Sequence, residues 1–193
     1  MDRQPAKVLQ PGDVRKLLRH VRKQRYPERA YVIALLSFRS GLRACEISGL
    51  QWSMVLASNH RVAQHITISR SIAKCGSGRL IPLHPELKVA LVQLHQIEGK
   101  PSTGPVIRSE RGGHLTPGSV VNWFRGVYDE LGLHGCSSHS GRRTFITMSA
   151  RLLAKTGGSL RDIQELAGHR ALTTTERYIE GDRAAQRHLI NLL

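Results

Sequence analysis

The stretch ERAYVIALLSFRSG, residues 28 to 41, contains a continuous apolar run from Tyr31 to Leu36. A helix that is apolar on all sides has to be buried on all sides. Gly41 stands where such a helix would end, and glycine suits that position because it adopts the left-handed backbone without strain. We therefore predict a helix from about Glu28 to Ser40 at the centre of the hydrophobic core.

Outward from this core helix, the hydrophobic pattern indicates a mainly helical chain with one hairpin. Upstream, Asp13 is a suitable N-cap for an amphipathic helix that ends near Gln24. Downstream, residues 61 to 83 alternate around a glycine-rich turn, which predicts an antiparallel hairpin with Lys74 at its turn. Further helices are predicted directly after Arg43 and at about 85–98, 116–131, 139–155, 159–167, 173–180 and 183–192. The expected fold class is α+β, mainly α-helical with a small antiparallel β-sheet.

The charge of the chain predicts the kind of partner. Its 193 residues carry a formal net charge of +15, from 29 Lys and Arg against 14 Asp and Glu. Basic side chains that bind phosphates release condensed counterions, so a nucleic acid is the first expectation and an anionic membrane surface the second. A basic structural protein would need the same charge, and composition leaves that alternative open.

The cysteines and the apolar runs predict the environment of the protein. Cys45, Cys75 and Cys136 contain no C-x-x-C pair, so the sequence indicates neither a disulfide framework nor a zinc site. No apolar run reaches the ~18 residues of a membrane span, and no signal-peptide pattern opens the chain. We expect a protein of the reducing cytoplasm that uses neither a metal nor another cofactor and has no membrane partner.

Four short motifs follow one another along the chain. They are SGLRACEISGL at residues 40 to 50, HSGRRTF at 139 to 145, LAGHR at 166 to 170 and TTERY at 174 to 178. Each alone is a weak signal, but the ordered set, with the hairpin lysine between the first two, resembles the tyrosine recombinase or phage integrase family. The resemblance extends from about Asp13 to Gly181. It implies the catalytic domain of a DNA breaking-rejoining enzyme at residues 13–181, and site-specific recombination through a covalent 3′-phosphotyrosine.

The chemistry of a DNA phosphodiester explains the residue types in these motifs. Its negative charge repels nucleophiles, and charge on its oxygens must be stabilised in the transition state. Arg43 and Arg142 can each hold nonbridging oxygens with paired N–H donors, and a guanidinium stays charged at any working pH. Tyr178 is the expected nucleophile. A phenol has an ordinary pKa of about 10, so its attack needs help with proton removal and a positive field.

The resemblance implies the remaining catalytic roles. His139 would assist proton transfer with Tyr178, and His169 would hydrogen-bond a nonbridging oxygen of the phosphate. Lys74 would act as the general acid that protonates the leaving 5′-oxygen. No metal or other cofactor enters this scheme.

Other side chains near the motifs support the expected site or compete with it. Glu46, one helical turn after Arg43, can hold that guanidinium, and a simple solvated pair is the alternative. The competing tyrosines lie in predicted amphipathic or buried helices, where a ring is more simply explained by packing; they are Tyr26, Tyr31 and Tyr128. The arginines expected to contact DNA are Arg143, Arg170 and Arg177.

The sequence departs from the family pattern at two points. Gly141 stands where the family commonly has Leu, which predicts a weaker helix and softer local packing. The family's separate N-terminal DNA-binding domain has no counterpart before the first helix, where residues 1–12 resemble a tether. We therefore expect either a fragment or a compact recombinase like the single-domain fimbrial invertases, and favour the compact form because Met1 starts the numbering.

The resemblance also implies partners. The expected partner is double-stranded DNA. The chain would bind it as a homo-oligomer, a tetramer on two DNA sites, and accessory DNA-bending proteins would assist the assembly. The apolar tail at residues 182–193 would dock on a neighbouring protomer, or equally cap its own core. The expected origin is bacterial, phage or plasmid-encoded. Two rivals use similar residues: a type IB topoisomerase that relaxes DNA, and a DNA-binding regulator with a decayed site.

Overall fold

The computed structural model describes residues 5–73, 76–178 and 190–191. In chain order its elements are α1 (Pro11–Val21), α2 (Pro27–Ser40), α3 (Ala44–Gly49), a 3₁₀ turn (Trp52–Met54), β1 (His65–Ile68), β2 (Arg79–Pro82), α4 (Pro85–Ile97), β3 (Arg108–Ser109), β4 (Gly112–His114), α5 (Pro117–Glu130), α6 (Ser140–Thr156), α7 (Leu160–Ala167) and α8 (Leu172–Glu176). The mainly helical α+β class is confirmed.

Helix α2 lies at the centre of the core, as its sequence predicts. Val32, Leu35 and Leu36 are completely buried, and α2 packs against α1, α3, α4 and α6. Gly41 ends the helix with φ +63°. A side chain at this position would be strained by that backbone and would also meet the ring of Phe145, whose Cδ1 lies 2.5 Å from where a Cβ would stand.

The start of α1 differs from the prediction. The helix begins at Pro11, with Gln10 as its N-cap, and Asp13 lies inside the first turn. The prediction that Asp13 caps this helix is therefore wrong, because proline at the first helical position starts the helix earlier. The segment before it, expected to be a tether, contacts the body: Leu9 is buried, and its backbone N–H donates to Thr144 Oγ1 at 2.9 Å. The same helix ends at Val21, three residues before the predicted Gln24.

The predicted hairpin is present as the antiparallel pair β1 and β2, in which Ile66 faces Ile81 and Thr67 faces Leu80. Its expected turn residue, Lys74, lies outside the described residues. A second small hairpin, β3 and β4, was not predicted. The sequence RSERGGH at 108 to 114 contains no apolar alternation, so it carries a turn signal without a strand signal.

The C-terminal elements form a second, smaller packing layer. Ile146 of α6 and Ile163 and Ala167 of α7 are buried together, and the ring of Tyr178, just after α8, packs against them. Helix α8 ends at Glu176, earlier than predicted, and the predicted helix at 183–192 falls almost entirely outside the described residues.

Within the described parts of the chain, no helix has both the length and the apolar character that a membrane crossing needs.

Candidate active site

Arg43 is held by Glu46 at the start of α3. Arg43 is the extended N-cap residue, its backbone N–H donates to Glu46 Oε2 at 2.9 Å, and its Nη1 donates to Glu46 Oε1 at 3.2 Å. The carboxylate of Glu46 has no exposed surface. This geometry excludes the alternative of a solvated surface pair, because the carboxylate is bonded inside the protein to both the backbone and the guanidinium of Arg43.

Arg79 forms a cluster with Arg43 and Glu46, and the sequence did not predict this role. Its Nη1 and Nη2 donate to the two carboxylate oxygens of Glu46 at 2.8 and 3.0 Å, and its Nε donates to the carbonyl of Leu166 at 2.8 Å. Burial alone would raise the pKa of Glu46, but the hydrogen bonds and charges of Arg79, and then of Arg43, hold that pKa below its ordinary value. A lone arginine in the strand sequence RLIP gave no sign of this role.

Arg142 lies on the first turn of α6 and is almost completely buried, at 3% exposure. Its Nη1 donates to the carbonyl of Gly41 at 2.7 Å and its Nη2 to the carbonyl of Ala167 at 2.6 Å. Burial, and then repulsion from Arg43, lower the pKa of Arg142 to about 10. The side chain is therefore still charged at neutral pH, and it is aimed by the ends of two other helices.

His169 follows the left-handed Gly168 that ends α7. Its Nε2 lies 2.9 Å from Arg142 Nη2, and its Nδ1 lies 2.9 Å from Thr175 Oγ1. Burial, followed by the positive charges of Arg142, Arg43 and Arg79, lowers the pKa of His169 to about 4. The imidazole is thus neutral at neutral pH.

Tyr178 lies against this histidine. The two rings stack with centroids 5.6 Å apart and an interplanar angle of 21°. The guanidinium of Arg143 lies 5.7 Å from the ring centroid of Tyr178, and Thr147 Oγ1 donates to the Tyr178 carbonyl at 3.3 Å. The half-buried phenol therefore stands beside the arginine and histidine cluster, in a positive field.

The other predicted site residues take different positions. His139 is the exposed N-cap residue of α6, one turn before Arg142. Both residues therefore lie at the N-terminal end of α6. Arg170 and Arg177 are exposed. Lys74 lies outside the described residues, so its predicted role stays a prediction.

The competing tyrosines are packing residues in this structure. Tyr31 is 7% exposed and its hydroxyl donates to Glu86 at 2.6 Å. Tyr128 is 2% exposed, and burial raises its pKa well above the ordinary phenol value. Tyr26 lies under the guanidinium groups of Arg25 and Arg29.

Gly141 corrects one prediction made from the sequence. The expectation of softer packing at this glycine is wrong, because α6 approaches α2 closely here. A Cβ on Gly141 would lie 2.9 Å from Ser37 Cβ, nearer still to Ser37 Oγ, and 3.3 Å from Phe38. Glycine is therefore what allows α6 to bring Arg142 up to the carbonyl of Gly41.

Taken together, three guanidinium groups converge around one carboxylate. Arg43, Arg79 and Arg142 repel one another and are balanced only in part by Glu46. A bound anion would relieve this repulsion. Beside the cluster, a polar pocket lined by Arg161 and Arg170 as well as Arg79 and His169 opens to solvent. Among the described residues, no three His, Cys, Asp or Glu side chains come together as metal ligands.

The sequence of the chain is similar to a known protein family. The model of the phage integrase family matches residues 7–184, so the chain belongs to that family. A curated relative, the tyrosine recombinase XerC of Mesorhizobium japonicum, is 33% identical over 158 residues, which are 80% of this chain and 47% of the relative. The XerC of Bradyrhizobium diazoefficiens is 34% identical over 153 residues, 77% of this chain and 44% of the relative. The chain thus spans about half the length of the curated relatives it matches.

Solved structures agree on the fold. XerA recombinase superimposes with a TM-score of 0.73 at 19% identity, over 100% of this chain and 65% of that one. The integrase of transposon Tn1549, solved in complex with a circular-intermediate DNA, gives a TM-score of 0.75 at 19% identity, over 100% of this chain and 67% of that one.

Proposed function

We propose that this chain is the catalytic domain of a site-specific DNA recombinase that cleaves and rejoins strands through Tyr178. The observation that carries the proposal is the stacking of Tyr178 on His169, whose Nε2 in turn contacts Arg142. A phenol, an imidazole and a guanidinium in one contact chain provide a nucleophile beside two groups that can hold a phosphate. The names of the curated relatives support the same activity.

In the proposed reaction, Arg43 and Arg142 bind the nonbridging oxygens of the scissile phosphate. Both guanidinium groups are held by protein atoms before substrate arrives, Arg43 by Glu46 and Arg142 by two carbonyls. Such preorganisation places both groups where they can stabilise charge in the transition state. His169 donates to one of the same oxygens.

The covalent step exchanges one phosphoester bond for another. The Oη atom of Tyr178 forms a bond to phosphorus while the bond from phosphorus to the 5′-oxygen breaks, which leaves a 3′-phosphotyrosine and a free 5′-hydroxyl. In the proposed scheme His139 takes the phenol proton and Lys74 gives a proton to the 5′-oxygen. The energy of the broken bond is kept in the phosphotyrosine, so a 5′-hydroxyl from another strand can reverse the step.

The proposed partner is double-stranded DNA, and the proposed contacts to its backbone are Arg143, Arg170 and Arg177. The net charge of +15 and the DNA complex of the similar Tn1549 integrase support this partner. We further propose residues 13–181 as the catalytic unit and residues 1–12 as the N-terminal segment before it. Residues 182–193 would form a tail that docks on a neighbouring protomer in a tetramer on two DNA sites. Accessory DNA-bending proteins would assist that assembly.

The test is the capture of the covalent adduct. The protein is incubated with a pool of duplexes that are nicked at one position and randomised around it, so that a cleaved end diffuses away and religation fails. A denaturing gel and peptide mapping should then find DNA on Tyr178. The Tyr178→Phe variant should bind the pool unchanged and form no adduct, while Tyr26→Phe should behave as wild type.

The other outcomes separate the rivals. Binding of the pool without an adduct would indicate a regulator with a decayed site. An adduct accompanied by relaxation of supercoiled plasmid, with no recombinant product from captured sequences placed in pairs, would indicate a topoisomerase. An adduct on any other residue would overturn the assignment of Tyr178.

A further inference from the structure

The hydroxyl of Thr175 is buried beneath the candidate site. Thr175 lies on α8, has no exposed surface, and its Oγ1 is 2.9 Å from His169 Nδ1. The other ring nitrogen of His169 faces Arg142 Nη2 at 2.9 Å. Both nitrogens of one imidazole are therefore engaged before any substrate is present.

The identity of these partners determines where the ring proton lies. A guanidinium has only donors, so His169 Nε2 has to be the unprotonated nitrogen that accepts from Arg142. A neutral imidazole carries one N–H, which is then on Nδ1 and donates to Thr175 Oγ1. Burial, and then the charges of the three arginines, lower the pKa of His169 to about 4, so the ring does not take up a second proton at neutral pH.

This resting state cannot hold a phosphate through His169. Nonbridging phosphate oxygens only accept hydrogen bonds, so His169 can contact one only through an N–H, and Nδ1 is directed at Thr175. The ring is held in this orientation by Arg142 at Nε2, by Thr175 at Nδ1 and by stacking on Tyr178. Gln164 Nε2 holds the backbone beneath it, since it donates to the carbonyls of His169 and Arg170 at 3.0 and 3.2 Å. The proton has to move instead of the ring.

We propose that Thr175 is a positioning residue whose hydroxyl reverses its hydrogen bond when phosphate enters, and so turns His169 from an acceptor for Arg142 into a donor to the phosphate. This inference rests on the proposed function and deepens it. In the bound state Thr175 Oγ1–H donates to Nδ1, and Nε2–H donates to a phosphate oxygen. The ring loses its Nδ1 proton to water and gains one at Nε2 from water, so its charge is unchanged. Arg142 Nη2 is released to the same phosphate.

A hydroxyl is the group that this reversal needs. Threonine can donate or accept in one place without moving a heavy atom, whereas valine of the same shape can do neither and a carboxylate could only accept. The charged groups that act on the ring are Arg142, Arg43 and Arg79, and Glu46 forms ion pairs with the last two. None of these can supply the donor that Nδ1 requires once its proton has left.

The first experiment locates the ring proton directly. The protein is labelled with ¹⁵N-histidine, and long-range ¹H–¹⁵N spectra are recorded at neutral pH, with inorganic phosphate as the probe and His169→Gln to assign the signals. Without phosphate, Nδ1 of His169 should be protonated and Nε2 not. At saturating phosphate the two nitrogens should exchange these states. Two unchanged nitrogens, or a ring protonated at both, would overturn the proposal.

The second experiment uses matched variants of the hydroxyl. Thr175→Val should abolish the exchange of protonation states and slow strand cleavage by at least about tenfold, the cost of leaving one buried polar group unpaired. Thr175→Ser, which keeps the hydroxyl, should stay within about threefold of wild type. Thr173→Val, the loss of an exposed hydroxyl on the same short helix, should change neither readout. Equal behaviour of the Val and Ser variants would overturn the role of the hydroxyl.

These results can be told apart from a failure of the proposed function. The phosphate titration needs no DNA cleavage, so it reports on Thr175 even in a protein that forms no adduct. If wild-type protein forms no covalent adduct, the recombinase proposal fails, while the protonation states of the two nitrogens still decide the role of Thr175 toward phosphate.

Discussion

Arg79 binds both carboxylate oxygens of the buried Glu46, at 2.8 and 3.0 Å. Through its Nε it also holds the last turn of α7 at the carbonyl of Leu166. One side chain on β2 thereby joins the strand that follows the hairpin turn to the helix that Arg43 starts and to the helix that leads into His169. The proposed catalytic groups come from distant parts of the sequence, and this contact fixes three of the supporting elements relative to one another.

Glu46→Gln should destabilise the fold strongly. The amide would leave Arg43 and Arg79, whose side chains are 17% and 6% exposed, beside Arg142 with no negative charge among them. Removing one partner of a buried ion pair costs about 3–5 kcal/mol, measured here as the free energy of unfolding in urea. Glu110→Gln is the matched control, because Glu110 pairs with the exposed Arg25, and should change the same free energy by at most about 1 kcal/mol. Equal effects of the two variants would contradict the importance of the buried carboxylate.

Gly141→Ala should destabilise the protein although alanine is the better helix former. The new methyl group would overlap Ser37 on α2, and overpacking of this kind costs about 1–3 kcal/mol. Gly126→Ala on α5 is the control, since nothing lies within 4 Å of its added Cβ. That variant should gain about 0.5–1 kcal/mol from helix propensity. Thermal melts of both variants give the comparison, and a Gly141→Ala variant as stable as wild type would show that α6 can move away from α2.

The sequence predicts the fold better than it predicts the contacts of the site. The core helix α2, the β1–β2 hairpin and the stop at Gly41 follow from local patterns of apolar residues and glycine, which depend on neighbours in sequence. Arg79 and Thr175 were missed because their partners lie far along the chain or across a turn, and an isolated Arg or Thr carries no local signal. For the same reason the prediction of softer packing at Gly141 was wrong. The residue that requires glycine there is Ser37, which is more than a hundred residues away in sequence.

The depressed pKa of His169 should make the fold sensitive to mild acid. Burial and then the charges of Arg142, Arg43 and Arg79 lower this pKa from 6.5 to about 4. Between these two pH values the histidine is protonated in the unfolded chain and neutral in the folded protein. The stability that His169 contributes is therefore complete above pH 6.5 and is lost as the pH falls toward 4. Urea midpoints in phosphate-free buffer should therefore fall more steeply over this range in wild type than in His169→Gln. Parallel curves for the two proteins would contradict the shift.

Arg142→Lys should separate charge from geometry at the centre of the site. The guanidinium fork reaches the carbonyls of Gly41 and Ala167 and the Nε2 of His169 at the same time, whereas an ammonium is a point charge on a flexible stem and cannot occupy all three directions. Losing one preorganised donor from a transition state costs about a hundredfold or more in rate. We expect a loss of that size in single-turnover cleavage of a captured nicked duplex, with DNA affinity nearly unchanged because the positive charge remains. Arg125→Lys, an exposed arginine on α5, is the control and should cleave at the wild-type rate. A rate for Arg142→Lys within about threefold of wild type would mean that charge alone is enough, and that the contacts holding the guanidinium serve folding rather than catalysis.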